Sequence, residues 1–338
     1  MAASIKVAVL GVGSLGQNHA RIYKELHQKG HVELIGVFDT NQVQAKAIAS
    51  KYDTTPLSSI EEAEEADALS IVTPTSTHHL LAKSLLEQGK HLLVEKPMTD
   101  NVDEASELVK LAKLRDCILQ VGHIERFNPV FNFLQKAVHA PRFIESHRLS
   151  PYPARSMDIG VVLDLMIHDL DIVLTFVSSK IEHVDATGVR VLSQSEDIAN
   201  ARLRFSNGCV ANLTASRVSP EQMRKIRVFS GGEKPSYLSL DYRDQKGFHY
   251  RLAKDDEKES SFFKKLLIAK DSKIISQFGG KKVLREPVPI EHKEPLKVEL
   301  ESFVNCVKKK QVPIVSGESA RQAIELALEI TRQIEQQS

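Results

Sequence analysis

The sequence predicts an α/β protein: a doubly wound parallel sheet at the amino end, then an α+β domain on a large, open, mostly antiparallel sheet. Three observations predict it. Strand and helix signals alternate through the first 125 residues, as right-handed βαβ crossovers require. The strand signals there, such as Leu92-Leu93-Val94, are short apolar runs of the kind buried on both faces. Beyond residue 125, β-rich segments succeed one another without intervening helices. A chain of 338 residues also exceeds one ordinary core. The division expected is therefore 1–125 and 126–338.

Ile5–Leu10 is the first strand, followed by a glycine-rich turn and a helix from about Leu15 to Gln28. Val32–Phe38 is a strand, Gln42–Lys51 a helix, and Ala68–Val72 a strand ended by Thr73-Pro74. Leucines at helical spacing mark His79–Gln88, stopped by Gly89. Leu92–Val94 follows, then a helix from about Val102 to Leu114 with Asn101 and Glu104 in capping-box positions. Ile118–Val121 ends at Gly122. Asn128-Pro129 joins a cap residue to a first-turn proline, and Val161–Phe176 is the next helix. Ile198–Phe205 and Cys209–Val218 form a hairpin around Asn207-Gly208. Arg224–Ser230, Tyr237–Tyr242 and Phe248–Leu252 are further strands. Residues 254–294 are charged, poorly periodic and take no assignment; helices near 295–309 and 318–336 finish the chain.

The bulk properties exclude several classes of protein. A net charge of +1 gives no electrostatic reason to bind nucleic acid or an acidic membrane. The lysine runs are short and have acidic neighbours, as solvated faces do. No apolar stretch is long enough to span a bilayer, and Met1-Ala2-Ala3-Ser4 runs straight into a strand, so a soluble, cytoplasmic protein is expected. Cys117, Cys209 and Cys306 fit no metal-ligand spacing, and no metal is expected. They read as thiols of a reducing compartment, Cys117 and Cys209 as small core hydrophobes.

Four constellations carry chemistry. Gly11-Val12-Gly13-Ser14-Leu15-Gly16 lies between a strand and a helix, the context that makes it a dinucleotide fingerprint. Gly11 permits the tight turn, Gly13 the approach of a pyrophosphate, and Gly16 close helix–strand packing. The helix amino terminus then faces the phosphates. Asp39 ends the second strand, placed to accept hydrogen bonds from ribose hydroxyls. No arginine stands beside it in Asp39-Thr40-Asn41-Gln42, which favours NAD over NADP. Thr73-Pro74-Thr75-Ser76-Thr77-His78 follows a buried strand, with hydroxyls suited to ribose or nicotinamide. His78 is either a ligand contact or a first-turn helix residue, and the second reading is favoured for His78 and His79 taken singly.

Glu95-Lys96-Pro97 is poor material for continuing a buried strand, and its position is the strand end where such sheets keep ligands. The fourth cluster runs from Asp164 to Asp171. On a helix, Asp164, His168 and Asp171 share one face at i, i+4 and i+7. Asp164 is thus placed to hold His168 and set its tautomer; a self-satisfied polar network is the competing reading. Asp169 faces elsewhere and either pairs with an arginine or has no assigned role. His123 and Arg126 lie in Gly122–Asn128, where the domains meet. Arg126 either grips a carboxylate or phosphate or pairs with Glu125.

Together GVGSLG at 11–16, TPTSTH at 73–78, GKHLLVEKP at 89–97 and the Gly160, Asp164, His168, Asp171 pattern resemble the Gfo/Idh/MocA family of NAD(P)-dependent sugar and cyclitol oxidoreductases. The resemblance implies a Rossmann domain with NAD as cofactor. Its contacts would be Gly11, Gly13, Ser14, Leu15, Gly16, Asp39, Thr73, Pro74, His78, Glu95 and Lys96. It implies that Lys96 and His168 work at the substrate hydroxyl with Asp164 in support, and that the Lys96–Pro97 peptide is cis. His123, Arg126 and Asp171 are substrate-side candidates. The outer face of the second sheet would make a homodimer or homotetramer interface. Within the family, VGHIERFNP at 121–129 and LDLMIHDLDIVL at 163–174 look most like the UDP-N-acetylglucosamine 3-dehydrogenases. Those enzymes oxidise the sugar 3-hydroxyl for a partner aminotransferase, a route to amide-linked lipid A. The charged stretch Lys254–Lys282 departs from that pattern. Another sugar nucleotide, a free sugar or an inositol are the alternative substrates, and a non-catalytic dinucleotide sensor is the alternative of another class.

Overall fold

A computed structural model of the chain describes residues 4–152, 159–232, 235–253, 273–278 and 281–337. Most of the charged stretch 254–282 lies outside the described residues. The chain divides into two compact units, Met1–Phe127 with Glu294–Leu326, and Asn128–Lys293 with Ala327–Ser338.

The first unit is a six-stranded parallel sheet. Its strands are β1 (Ile5–Leu10), β2 (Val32–Phe38), β3 (Pro56–Leu57), β4 (Ala68–Ile71), β5 (His91–Val94) and β6 (Leu119–Val121), in the order β3-β2-β1-β4-β5-β6. The order reverses between β1 and β4, the switch point at which doubly wound sheets hold ligands beyond the strand carboxyl ends. The predicted parallel sheet is borne out. Only β3 has no counterpart among the expected strands, because two residues show no periodicity.

Helices α1 (Gly16–Gln28), α2 (Gln42–Lys51), α3 (Thr75–Glu87) and α4 (Val102–Leu114) complete the crossovers. The predicted bounds of α2 and α4 hold to the residue because side chains cap them. Asn41 accepts from the Val43 and Gln44 amides, and Asn101 from Glu104 N at 2.8 Å. α3 starts earlier than its leucines indicate, at Thr75 directly after Pro74.

In the second unit, α5 (Pro129–Ala137) opens on the Asn128 cap, whose side chain accepts from Val130 N. α6 (Ile167–Phe176) follows a π-helical turn, Val162–Met166. The strands are β7 (Pro141–Leu149), β8 (Ile181–Val189), β9 (Ile198–Phe205), β10 (Val210–Ser216), β11 (Met223–Ser230), β12 (Ser236–Asp241), β13 (Lys246–Leu252), β14 (Lys273–Phe278) and β15 (Lys281–Pro287). They form one sheet in the order β14-β15-β13-β12-β11-β7-β10-β9-β8, parallel only between β7 and β10. The hairpin at Asn207-Gly208 is present. Gly208 takes φ +79°, the left-handed conformation that such a turn requires.

The last two helices are α7 (Pro295–Lys309), which packs in the first unit, and α8 (Gly317–Gln336), whose residues up to Leu326 belong to the first unit and the rest to the second. Leu296, Leu300, Phe303, Val304 and Val307 of α7 share one core with Val7, Val9, Tyr23 and Val37. Lys297 adds an ion pair to Glu25 at 2.6 Å, and Arg21 pairs with Glu294. An apolar stripe shows that a helix is buried but not which core receives it.

Candidate active site

The glycine loop has the steric form of a dinucleotide cradle. Gly11 takes φ +85°, and a Cβ there would stand 2.6 Å from the Val72 carbonyl oxygen. A Cβ on Gly16 would stand 1.8 Å from the Gly11 oxygen, so only glycine lets α1 start so close to β1. Gly13 has nothing within 4 Å of a would-be Cβ, leaving its backbone open to a ligand. Gly13 and Ser14 are exposed and Leu15 half-buried. Leu15, the N-cap, offers no side-chain hydrogen bond to the first amides of α1. Asp39 closes the cradle: its Oδ2 accepts Val12 N and its Oδ1 accepts Asn41 N, each at 2.9 Å. A carboxylate so fixed keeps lone pairs for ribose hydroxyls and repels a 2′-phosphate. The loop and Asp39 therefore fit NAD.

Along β4, Thr73 is half-buried and its hydroxyl accepts from Thr77 Oγ1 at 2.7 Å; Pro74 is exposed. His78 lies in the first turn of α3. It is buried in α3, with Nδ1 2.9 Å from the Pro97 oxygen and Nε2 2.8 Å from the Thr73 oxygen. Burial holds its pKa below the ordinary imidazole value, and the neutral ring has one N–H with which to donate to one of these carbonyls.

Glu95 and Lys96 follow β5, and the Lys96–Pro97 peptide is cis. Lys96 is half-buried. Glu95 is buried, with Oε1 3.2 Å from His19 Nε2 and Oε2 accepting the Lys96 amide at 3.2 Å. A Cβ on Gly122 would stand 2.7 Å from that Oε2, which explains the glycine ending β6. Beneath lies Glu299 of α7, fully buried, with neither carboxylate oxygen hydrogen-bonded among the described residues. Burial, reinforced by the charge of Glu95, raises its pKa well above the ordinary carboxylate value. Tyr23 donates to or accepts from Ser70 Oγ at 2.9 Å, and burial pushes its phenol upward.

Motif spacing does not single out His19 and Glu299. Each lies on the apolar stripe of an amphipathic helix: His19 with Ile22, Tyr23 and Leu26, and Glu299 with Leu296, Leu300 and Phe303. A polar residue on such a stripe was the available signal.

His123 and Arg126 are buried rather than open to a ligand from solvent. Arg126 donates from Nη2 to the Ile314 carbonyl at 3.0 Å, so part of its guanidinium serves the chain itself.

In the second unit, Asp164 lies in the π turn and His168 at the start of α6, both half-buried. The regular helix expected from Val161 is thus π-helical in its first turn, a feature common at functional sites. Asp171 is buried. Asp169 takes the arginine option: its Oδ2 accepts Arg148 Nε at 2.7 Å and its Oδ1 accepts Ser146 Oγ at 2.8 Å, tying α6 to β7. No cluster of three metal-binding side chains occurs among the described residues. Cys209 and Cys306 are buried and Cys117 half-buried, all as free thiols.

Residues 5–123 match the oxidoreductase family with an NAD-binding Rossmann fold, Gfo/Idh/MocA, and residues 136–234 match that family's C-terminal domain. The chain belongs to the Gfo/Idh/MocA family. It is an NAD-dependent oxidoreductase. Among Gfo/Idh/MocA relatives, it is 34% identical over 333 residues to a UDP-N-acetylglucosamine 3-dehydrogenase of Acidithiobacillus ferrooxidans, covering 98% of this chain and 97% of that one. It is 27% identical to an NAD-dependent scyllo-inositol 2-dehydrogenase of Bacillus subtilis, covering 97% and 93%. A solved structure of the Acidithiobacillus ferrooxidans enzyme superposes with a TM-score of 0.84 at 32% identity, covering 99% of each chain. No described helix is long and apolar enough to cross a membrane.

Proposed function

We propose that this enzyme oxidises the 3-hydroxyl of UDP-N-acetylglucosamine to the 3-keto sugar nucleotide. The observation that carries the reading is 34% identity to a 3-dehydrogenase of that substrate along 98% of the chain. Bound NAD supplies a hydride acceptor. Loss of the hydride must be coupled to loss of the hydroxyl proton, which calls for a general base within hydrogen-bond reach. Lys96 and His168 are the pair assigned to the hydroxyl. One takes the proton, the other polarises the oxygen, and Asp164 supports the imidazole. Lys96 belongs to the first unit and His168 to the second, so the reading requires the units to bring them to one substrate. Glu95, held by His19, is assigned to a ribose, and Thr73, Pro74 and Lys96 to the nicotinamide end. His123, Arg126 and Asp171 are assigned to the substrate side, His123 and Arg126 acting from a buried position.

The reading extends to a cytoplasmic enzyme that supplies a partner aminotransferase in amino-sugar and lipid A synthesis. It also extends to a homodimer or homotetramer formed through the second-unit sheet. Half-buried Phe143, Phe229, Tyr237 and Tyr250 form a ladder across four strands of that sheet, with successive ring centroids 5.7, 4.5 and 4.8 Å apart. Such an aromatic face suits a partner sheet.

The second reading, an inositol dehydrogenase, is favoured by the near full-length similarity to the scyllo-inositol enzyme. Nicotinamide absorbance, followed with UDP-N-acetylglucosamine, other sugar nucleotides, free sugars and inositols, separates the two. Turnover with UDP-N-acetylglucosamine at least about tenfold above the others, as kcat/KM, is expected. Preference for an inositol replaces the reading, and tight NAD binding with no turnover revives the sensor.

A further inference from the structure

Glu196 lies in the loop between β8 and β9, far in sequence from Asp164 and His168, yet it grips the start of their helix. Its Oε1 accepts the Val162 amide at 3.1 Å and its carbonyl oxygen accepts the Val161 amide at 3.0 Å. First-turn amides have no partner within a helix, and a carboxylate there also meets the positive end of the helix dipole. Gly160 makes the room: a Cβ at that position would stand 2.0 Å from Glu196 Oε1.

One residue earlier, the Ile159 carbonyl accepts Arg217 Nη1 at 2.7 Å. Arg217 is fully buried and donates to Asp197 Oδ1 at 2.8 Å, Ser193 Oγ at 2.8 Å and Ser195 Oγ at 2.9 Å. Asp197 Oδ2 accepts the amides of Val191, Leu192 and Ser193 at 2.8, 2.6 and 3.0 Å. Burial alone would raise the Asp197 pKa, but these hydrogen bonds and the guanidinium hold it well below the usual carboxylate range. The loop is thus a tied block with two grips on the four residues that enter the helix.

The gripped segment leads straight into the π turn that contains Asp164, with His168 one turn later. A small rotation of the entry re-aims both side chains. We propose that Glu196 and Arg217, working through the gap at Gly160, are positioning residues that set the aim of Asp164 and His168. The inference rests on the reading of those two as proton-transfer residues.

Three variants test it in the full-length protein. Glu196→Ala removes the acceptor, and Glu196→Gln keeps an oxygen for the Val162 amide. Gly160→Ala pushes the flexible carboxylate aside without emptying core space. With NAD and UDP-N-acetylglucosamine, kcat is expected to fall about tenfold or more in Glu196→Ala and Gly160→Ala, as ångström-scale misplacement does. KM for NAD should stay within about twofold, and Glu196→Gln within about threefold of the parent kcat. The imidazole NMR signals of His168, assigned by their loss in His168→Gln, should move in Glu196→Ala and Gly160→Ala and not in Glu196→Gln; this readout needs no substrate.

Parent-like turnover and unmoved His168 signals in both disrupting variants overturn the proposal. If Glu196→Ala fails to fold, Gly160→Ala decides. Full turnover in His168→Gln would locate the failure in the catalytic reading instead, and the NMR signals alone then judge the clamp.

Discussion

At the scale of single residues, partial exposure separates the groups proposed for chemistry from the buried ones that hold other side chains. Lys96, Asp164 and His168, the residues proposed for proton transfer, are each half-buried in their own unit. Glu95 is different: His19 and the Lys96 amide hold its carboxylate beside a glycine that gives it room. Lys96→Met and His168→Ala should each lower kcat by about a hundredfold or more, the usual worth of a positioned acid–base group. NAD affinity should change far less, because the glycine loop and Asp39 are untouched. Steady-state rates beside fluorescence titration of NAD check this, and near-normal rates in both variants would sink the proton-transfer assignment. His19, Glu196 and Arg217 stay hidden in the linear chain, because each hydrogen-bonds a residue distant in sequence.

At the scale of elements, strand ends and helix starts are where polar side chains decide the geometry. Asn41, Asn101 and Asn128 each cap a helix whose start the sequence signalled. His91 does comparable work between strands: its Nδ1 accepts the Ile118 amide at 2.9 Å, joining β5 to the entry of β6. That bond needs an unprotonated Nδ1. Burial holds the His91 pKa below the ordinary 6.5. The unfolded chain therefore binds the proton first, so this contribution to stability is complete above pH 6.5 and is lost as the pH falls below it. Urea unfolding between pH 7 and pH 5 should show the parent losing stability relative to His91→Asn, whose amide oxygen accepts without titrating. Equal slopes would remove His91 from the account. His78 and His249, also shifted down by burial, act in the same direction in both proteins, and Glu299, shifted up, acts in the opposite one.

At the scale of the whole molecule, the cofactor unit is not finished where its sheet ends. Leu300 and Phe303 of α7 are fully buried among residues of β1, β2 and α1. Losing one such aromatic typically costs about 3–5 kcal/mol, a large part of a domain's total stability. A chain ending at Lys293 should therefore fail to bind NAD and lose its cooperative thermal transition, measured by titration and circular dichroism. NAD binding by residues 1–127 alone with parent affinity would contradict this.

The sequence by itself determined the parallel sheet, the open antiparallel sheet and, through the strand–glycine-turn–helix pattern, NAD as the cofactor. Each is a local pattern: a period of two or 3.6 residues, a capping pair, or a glycine required between one strand and the next helix. The tertiary structure alone decided that α7 belongs to the first core, that His78 is buried between two backbone carbonyls, and that Asp169 pairs with Arg148. It also decided that Glu196 reaches across 34 residues to the helix start. These are choices among partners that satisfy the same burial pattern or the same charge. A linear pattern records that a partner is needed, and only packing selects which one.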